Sequence, residues 1–117
     1  MKNFIQEGRY LTVPAPYNVE AGDGLQVGQI FGVAAEAALS GDDVDIDTNG
    51  AYELDKAPSQ AWGLGALVYW DDTNKYCTTT ASGNLLIGAA TAVVAGGAGD
   101  TLGSVRLNGS ARANEAV

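Results

Sequence analysis

The sequence contains no histidine, and Cys77 is the single cysteine among its 117 residues. The absence of histidine removes the commonest general base and the commonest transition-metal ligand. A single cysteine cannot form an internal disulfide or a cysteine-rich metal site. Because no basic residue directly adjoins Cys77, we interpret it as a structural thiol rather than a nucleophile. These absences predict a protein that is not an enzyme and that uses no cofactor and no metal.

Basic residues are also scarce, since six Lys and Arg stand against fourteen Asp and Glu, for a net charge of −8. Nucleic-acid binding needs clustered Lys and Arg, so we expect no nucleic acid as a partner. No apolar run approaches the roughly 18 residues of a membrane span. The start, MKNFIQEGRY, lacks the apolar core of a signal peptide. We therefore expect a cytoplasmic product and no membrane partner.

Long helical patterns are absent as well, whereas short strand patterns separated by glycine recur along the chain. The clearest is at residues 43–48, where Val44 and Ile46 alternate with aspartates. Turn signals recur roughly every 8–12 residues, which is typical of a barrel or sandwich. The sequence predicts an all-β domain, a small barrel or sandwich of about eight short strands.

One stretch, residues 30–50, occurs a second time at residues 86–109. Aligning Gly32 with Gly88 places Asp42 over Asp100 and brings two Asn-Gly pairs together, with one three-residue insertion in the loop at 96–103. Such self-similarity is typical of an internal duplication. It predicts two strand–loop–strand units that superpose, and the first Asn-Gly pair predicts a hairpin turn.

The domain organisation is predicted as an N-terminal arm at residues 1–19, a β body at 20–109 and a flexible tail at 110–117. Two prolines separate the arm from the body, because proline lacks the N–H of a strand ladder. The arm is either an ordinary edge strand of the body or a segment that becomes ordered on a partner. The side chains with which the arm would bind a partner are Phe4, Ile5, Tyr10 and Leu11.

The acidic run D-I-D-T-N-G, which begins at Asp45, matches the opening of a calcium loop. The match fails at the twelfth position, where Lys56 replaces the required glutamate. We interpret the run as a solvated strand face. A subunit contact that sets Asp45 and Asp47 against Arg106 or Arg112 would relieve the repulsion between the acids.

Two tryptophans, Trp62 and Trp70, lie in the most aromatic part of the chain, together with Tyr69 and Tyr76. These side chains could line a ligand or sugar pocket. Aromatic residues in a small β domain more often anchor a core or an interface. We therefore place Trp62 and Trp70 among the candidate subunit-interface residues.

Six segments occur in this order along the chain: MKNFIQEG before a short strand and proline, GVAAEAALSG, GAYELDK, LVYWD, LIGAA and VRLNG. Together they resemble the small capsid decoration, or cement, proteins of tailed bacteriophages. The resemblance implies a β-rich oligomer, a trimer at three-fold positions, that binds the outside of an assembled head and braces it against internal pressure. It implies the major capsid protein as partner and the outer capsid surface of the virion as location, and it carries over no functional residue.

The sequence therefore predicts a phage head decoration protein that forms a homotrimer, with a dimer as the alternative, and attaches through its arm. The alternative function is a carbohydrate- or receptor-binding β module, in which Trp62 and Trp70 would lie exposed in a groove. The exposure of these two side chains distinguishes the two hypotheses.

Overall fold

The computed structural model describes residues 10–108, and this part of the chain contains no helix. It contains nine strands: β1 (Tyr10–Pro14), β2 (Gly24–Val27), β3 (Ile30–Ala34), β4 (Asp43–Asp47), β5 (Ala51–Asp55), β6 (Leu67–Asp71), β7 (Tyr76–Thr78), β8 (Leu85–Ala90) and β9 (Leu102–Leu107). The prediction of an all-β fold of short strands is confirmed.

The strands form two antiparallel sheets, so the small sandwich or barrel is also confirmed. The first sheet has the order β1-β4-β3-β2, and the second has the order β5-β9-β8-β6-β7. The chain completes the first sheet before it enters the second. In β4, Val44 and Ile46 are fully buried while Asp43 and Asp45 are exposed, as the alternation of the sequence predicts.

The Asn49-Gly50 pair does not close a hairpin, and this prediction is wrong. The strands on either side of it, β4 and β5, belong to different sheets. The backbone N–H of Asn49 instead donates to Oδ1 of Asp47 at 3.0 Å, so the pair bends the chain from one sheet to the other. Turn chemistry predicted a bend here, but the sheet that each strand joins is decided by packing elsewhere.

The two sheets are copies of one four-stranded unit. Within residues 10–48 the strand order is β1-β4-β3-β2, and within residues 51–107 the order β5-β9-β8-β6 repeats it. The equivalent strands are β1 and β5, β2 and β6, β3 and β8, and β4 and β9. Among the described strands β7 alone has no counterpart, because it is inserted between β6 and β8. We call residues 10–48 the first repeat and residues 51–107 the second repeat.

Register and loop hydrogen bonds also repeat. The matched partner pairs are Leu25–Gly32 with Val68–Gly88, Ala34–Ile46 with Ala90–Val105, and Leu11–Ile46 with Tyr52–Val105. In the loops, an isolated bridge joins Val19 to Ala38, and its equivalent joins Trp62 to Val94. Gly32 and Gly88 therefore occupy the same position in the two units, and the predicted repeat is confirmed and extends over almost the whole described chain.

One detail of the predicted alignment changes. The N–H of Ala15 donates to the carbonyl of Asp42 at 2.8 Å, and the equivalent bond runs from Lys56 to the carbonyl of Thr101 at 2.7 Å. The structural counterpart of Asp42 is therefore Thr101, and Asp100 lies one residue earlier, within the inserted loop.

The repeats stack in one direction. Each sheet has an inner face, which packs on the loops of its own repeat, and an opposite outer face. The inner face of the first sheet carries a core that includes Leu25, Val44 and Ile46. Two side chains of its outer face, Phe31 and Val33, instead belong to the core on the inner face of the second sheet. The outer face of the first repeat therefore covers the inner face of the second.

Residues 10–19 were predicted to be part of the N-terminal arm, but in the structure they pack within the body. Strand β1 pairs with β4 in the register that β5 adopts with β9, and Val13, Ala15 and Val19 are buried. Of the two interpretations of the arm, the edge strand describes residues 10–14. The rest of the predicted arm, residues 1–9, and the predicted tail lie outside the described residues.

Candidate functional site

A hydrogen-bonded group joins the two repeats near the β6–β7 turn. The hydroxyl of Tyr17 donates to Oδ1 of Asp72 at 2.9 Å, and Nε1 of Trp70 donates to the same oxygen at 3.0 Å. Nζ of Lys75 lies 4.2 Å from the centre of the Tyr17 ring. Burial, and then the hydrogen bond and charge of Asp72, raise the pKa of the Tyr17 phenol well above its usual range. The phenol stays protonated, so this group serves as a structural clamp.

Trp62 fills the core of the second repeat and is 1% exposed. Its Nε1 donates to Oε1 of Gln60 at 3.0 Å, and the Gln60 amide donates to Oγ1 of Thr78, also at 3.0 Å. Nζ of Lys56 lies 5.8 Å from the centre of the indole ring. The indole is fully engaged by its own chain and offers no surface to a ligand or a partner.

Cys77 is fully buried, as a structural thiol should be. Burial, with a smaller contribution from the charge of Asp55, raises the pKa of Cys77 to about 12. A thiolate is therefore scarce at neutral pH, and the residue lacks the property that makes a cysteine nucleophilic.

The predicted interface residues fall into two groups. Trp62, Trp70 and Asp47 are buried within the chain, the last beneath Tyr52, whose hydroxyl donates to Oδ2 of Asp47. Trp70 and Asp47 are buried because the stacking of the repeats covers the faces on which they lie, whereas Trp62 is buried in the core of its own repeat. Asp45 and Arg106 are exposed and are the members of this set that a partner could reach.

The predicted arm residues are also divided. Tyr10 and Leu11 lie on the edge strand β1, where Tyr10 is 54% exposed and Leu11 is half-buried. Phe4 and Ile5 lie outside the described residues. The structure thus places two of the four candidate capsid-binding side chains, and both lie on an edge of the first sheet.

An apolar patch on the outer face of the second sheet was missed by the sequence analysis. We call it the outer patch; it consists of Leu67, Tyr69, Leu86 and Ala89. Leu67 is 56% exposed and the others are partly exposed. The equivalents of Leu86 and Ala89 in the first repeat are Phe31 and Val33, which are buried. The same face is therefore covered in one repeat and open in the other.

A polar groove of about 570 Å³ lies beside the β6–β7 hairpin and is lined mainly by hydroxyl and amide side chains. Asp71 lies in it; despite partial burial, hydrogen bonds from the Asn74 side chain and from the backbone of Asn74 and Thr73 lower its pKa. Neither tryptophan lines this groove. The feature that would favour a sugar-binding module, two tryptophans exposed in a groove, is not what the structure shows.

Among residues 10–108, no three Cys, Asp or Glu side chains come together in a way that could hold a metal ion. Nor does this part of the chain form a helix with the length and hydropathy of a membrane span. Along the acidic run, one carboxylate, that of Asp47, is already bonded to Tyr52 and to the N–H of Asn49.

We expect that calcium leaves the stability of the protein unchanged. The run lacks a glutamate at its twelfth position, and Lys56, which stands there, is buried. The melting temperature of EDTA-treated protein should therefore stay constant when micromolar calcium is added. A calcium-dependent rise would contradict this prediction, because a ligand that binds the native state stabilises it.

A family model described as phage cement protein matches residues 5–107. The match runs through both repeats and so spans the whole described body. No curated protein and no solved structure shows significant similarity to the chain.

Proposed function

Because the chain belongs to the phage cement protein family, we propose that it binds the outer surface of an assembled phage capsid and stabilises it. Its partner in this proposal is the major capsid protein, and its location is the outside of the virion. The role is structural and requires no catalysis, no cofactor and no metal.

The observation that carries the proposal is the family match, which spans both repeats. The physical character of the body supports it. Its titratable groups at the joint between the repeats are engaged in structural contacts, and its one thiol is buried. Among the described residues, exposed acids outnumber exposed bases, which suits a protein displayed on a particle.

The direct test mixes the purified protein with expanded empty heads and measures cosedimentation. We expect the protein to pellet with the heads at a saturable ratio and to raise the temperature at which the heads disrupt. Heads that have not expanded show whether binding follows expansion. Absence of the protein from the pellet would reject capsid binding, and binding without a rise in disruption temperature would reject stabilisation.

We propose further that the protein acts as a homo-oligomer, a trimer in the first instance and a dimer as the alternative. Asp45 and Arg106 supply charges of opposite sign on its exposed surface, and they are our candidates for contacts between subunits. Trp62 and Trp70 do not contribute, because both are buried within the chain.

Deletion of Met1–Gln6 should weaken attachment to heads severely while folding and oligomerisation stay nearly intact. The segment carries Phe4 and Ile5 and precedes the edge strand β1. An extended segment can add to a partner's sheet edge, where backbone hydrogen bonds give affinity and alternate side chains fill pockets. The measurement compares cosedimentation isotherms and melting curves of truncated and full-length protein.

The control removes five residues from the other end, 113–117, and keeps Arg112. This second truncation should bind heads as the full chain does. Undiminished binding by the protein without Met1–Gln6, or its failure to fold, would show that the segment is not a capsid-binding arm.

A further inference from the structure

Among residues 10–108, the stacking of the two repeats leaves two faces without an equivalent cover. Within the chain, the outer face of the first repeat packs on the inner face of the second. The outer face of the second repeat is therefore open, and it carries the outer patch. The inner face of the first repeat has its own half-buried apolar side chains, Leu11, Val27 and Ile30, which we call the inner patch.

The contact between the repeats shows which side chains cover such faces. Phe31, on the outer face of the first repeat, packs against Trp70 with ring centroids 5.0 Å apart. Gly24 lies so close that an added Cβ would be 3.1 Å from the Trp70 ring. At the neighbouring edge, Tyr52 bonds to Asp47. This junction therefore consists of Tyr52, Trp70 and Leu85 on the inner side and of Gly24, Phe31, Val33 and Asp47 on the outer side.

The two open patches occupy the same positions as the two sides of this junction. By strand register, Leu11, Val27 and Ile30 are the equivalents of Tyr52, Trp70 and Leu85. Leu67, Leu86, Ala89 and Arg106 are the equivalents of Gly24, Phe31, Val33 and Asp47. The outer patch is thus equivalent to the outer side of the junction, and the inner patch is equivalent to its inner side. The junction within the chain therefore shows how an outer patch and an inner patch can pack together.

We propose that a second copy of this chain covers these faces, with the outer patch of one copy packed on the inner patch of the next. The contact continues between chains the stacking that each chain already makes between its repeats. In it, Leu86 takes the place of Phe31, and Val27 and Ile30 take the places of Trp70 and Leu85. Arg106 lies at the rim, where an arginine suits an interface.

Such a contact joins two different surfaces and is therefore heterologous. Heterologous contacts generate rings when the rotation between copies closes and open filaments when it does not. A closed ring of three copies would give the trimer of the proposed function. This inference deepens the proposed function, and it depends on the proposal that the protein is a homo-oligomer.

The test uses one variant for each patch, Leu67→Glu on the outer patch and Val27→Glu on the inner patch. A glutamate buried without a partner is strongly unfavourable, so each variant should weaken self-association by about thirtyfold or more. Sedimentation equilibrium should show an oligomer for the wild type and a monomer for each variant alone. An equimolar mixture of the two variants should form a one-to-one dimer, because one intact junction remains possible between them.

The matched control is Val93→Glu, which places the same charge at a side chain that is 74% exposed on a loop outside both patches. It should leave the mass of the oligomer unchanged. Circular dichroism establishes that each variant is folded; should Val27→Glu fail this check, Ile30→Gln replaces it. A monomeric wild type, variants of unchanged mass, or a mixture of folded variants that stays monomeric would each overturn the inference.

Cosedimentation with expanded heads separates this inference from the proposed function. A monomeric Leu67→Glu variant that still binds heads, even weakly, supports both. A Leu67→Glu variant that stays oligomeric but no longer binds heads overturns the inference and assigns the outer patch to the shell instead. Wild-type protein that forms the predicted oligomer but never binds heads supports the inference and rejects the proposed function.

Discussion

Replacing Gly88 by alanine is expected to lower the free energy of unfolding by about 3 kcal/mol or more. Gly88 lies in β8 between β6 and β9, and an added Cβ would lie 2.0 Å from the carbonyl oxygen of Arg106. The obstructing atom belongs to the backbone of the neighbouring strand and cannot rotate away. The methyl group can be accommodated only if β8 and β9 separate, which weakens the central pairing of the second sheet.

Urea unfolding measures the free energy of unfolding of each variant, and two other glycines serve as controls. At Gly32, the equivalent position, the nearest atoms belong to the side chain of Ile46, with Cδ1 at 2.7 Å, so part of the strain can relax and Gly32→Ala should cost less. At Gly63 nothing lies within 4 Å and φ is not positive. Gly63→Ala should therefore be neutral or slightly stabilising. Equal losses at Gly88 and Gly63 would show that backbone crowding is not the cause.

The sequence predicted the elements that depend on local pattern. The alternation around Val44 and Ile46 predicted a strand with one buried face, and the paired glycines at 32 and 88 predicted a duplication. Both predictions hold because alternating burial along a strand selects apolar residues at every second position, and a close backbone approach selects glycine. The first strand of each unit was not recognised as part of the repeat, because β1 and β5 share a register and a burial pattern but almost no residues.

What the sequence could not predict is how the two units face each other. Asp47 reads as the third acid of a wet strand face, yet it is buried, because the outer face on which it lies is covered by the second repeat. Trp70 was predicted at an interface between subunits, but it packs at the contact between the two repeats of one chain. The outer patch was missed for the converse reason: Leu67 and Leu86 have the composition of a core strand, and only the stacking direction shows that their face is open.

The core of the second repeat gives the second prediction. Trp62 is the equivalent of Val19, and Gly103 is the equivalent of Val44. The second repeat therefore has a tryptophan and a glycine where the first has two valines. A Cβ on Gly103 would lie 2.3 Å from Cζ3 of Trp62. Trp62→Val should therefore cost about 3–4 kcal/mol through the cavity it leaves, and Gly103→Val about 3 kcal/mol or more through overlap with the indole.

The double variant Trp62→Val with Gly103→Val should cost clearly less than the sum of the two, with a coupling energy of about 1–3 kcal/mol. It rebuilds in the second repeat the Val–Val pair of the first, and the added valine occupies space that the indole leaves. Part of the loss should remain, because Gln60 loses the indole N–H that it accepts at 3.0 Å and Lys56 loses the ring beside it. Trp62→Phe should cost less than Trp62→Val, since it keeps an aromatic ring beside Lys56 while it removes the donor to Gln60. The contrary result in urea unfolding is a stability loss of the double variant that equals the sum of the two single losses. That result would mean that a valine at position 103 does not fill the space left by the Trp62 indole. The two repeats would then share a strand order but not a common core packing.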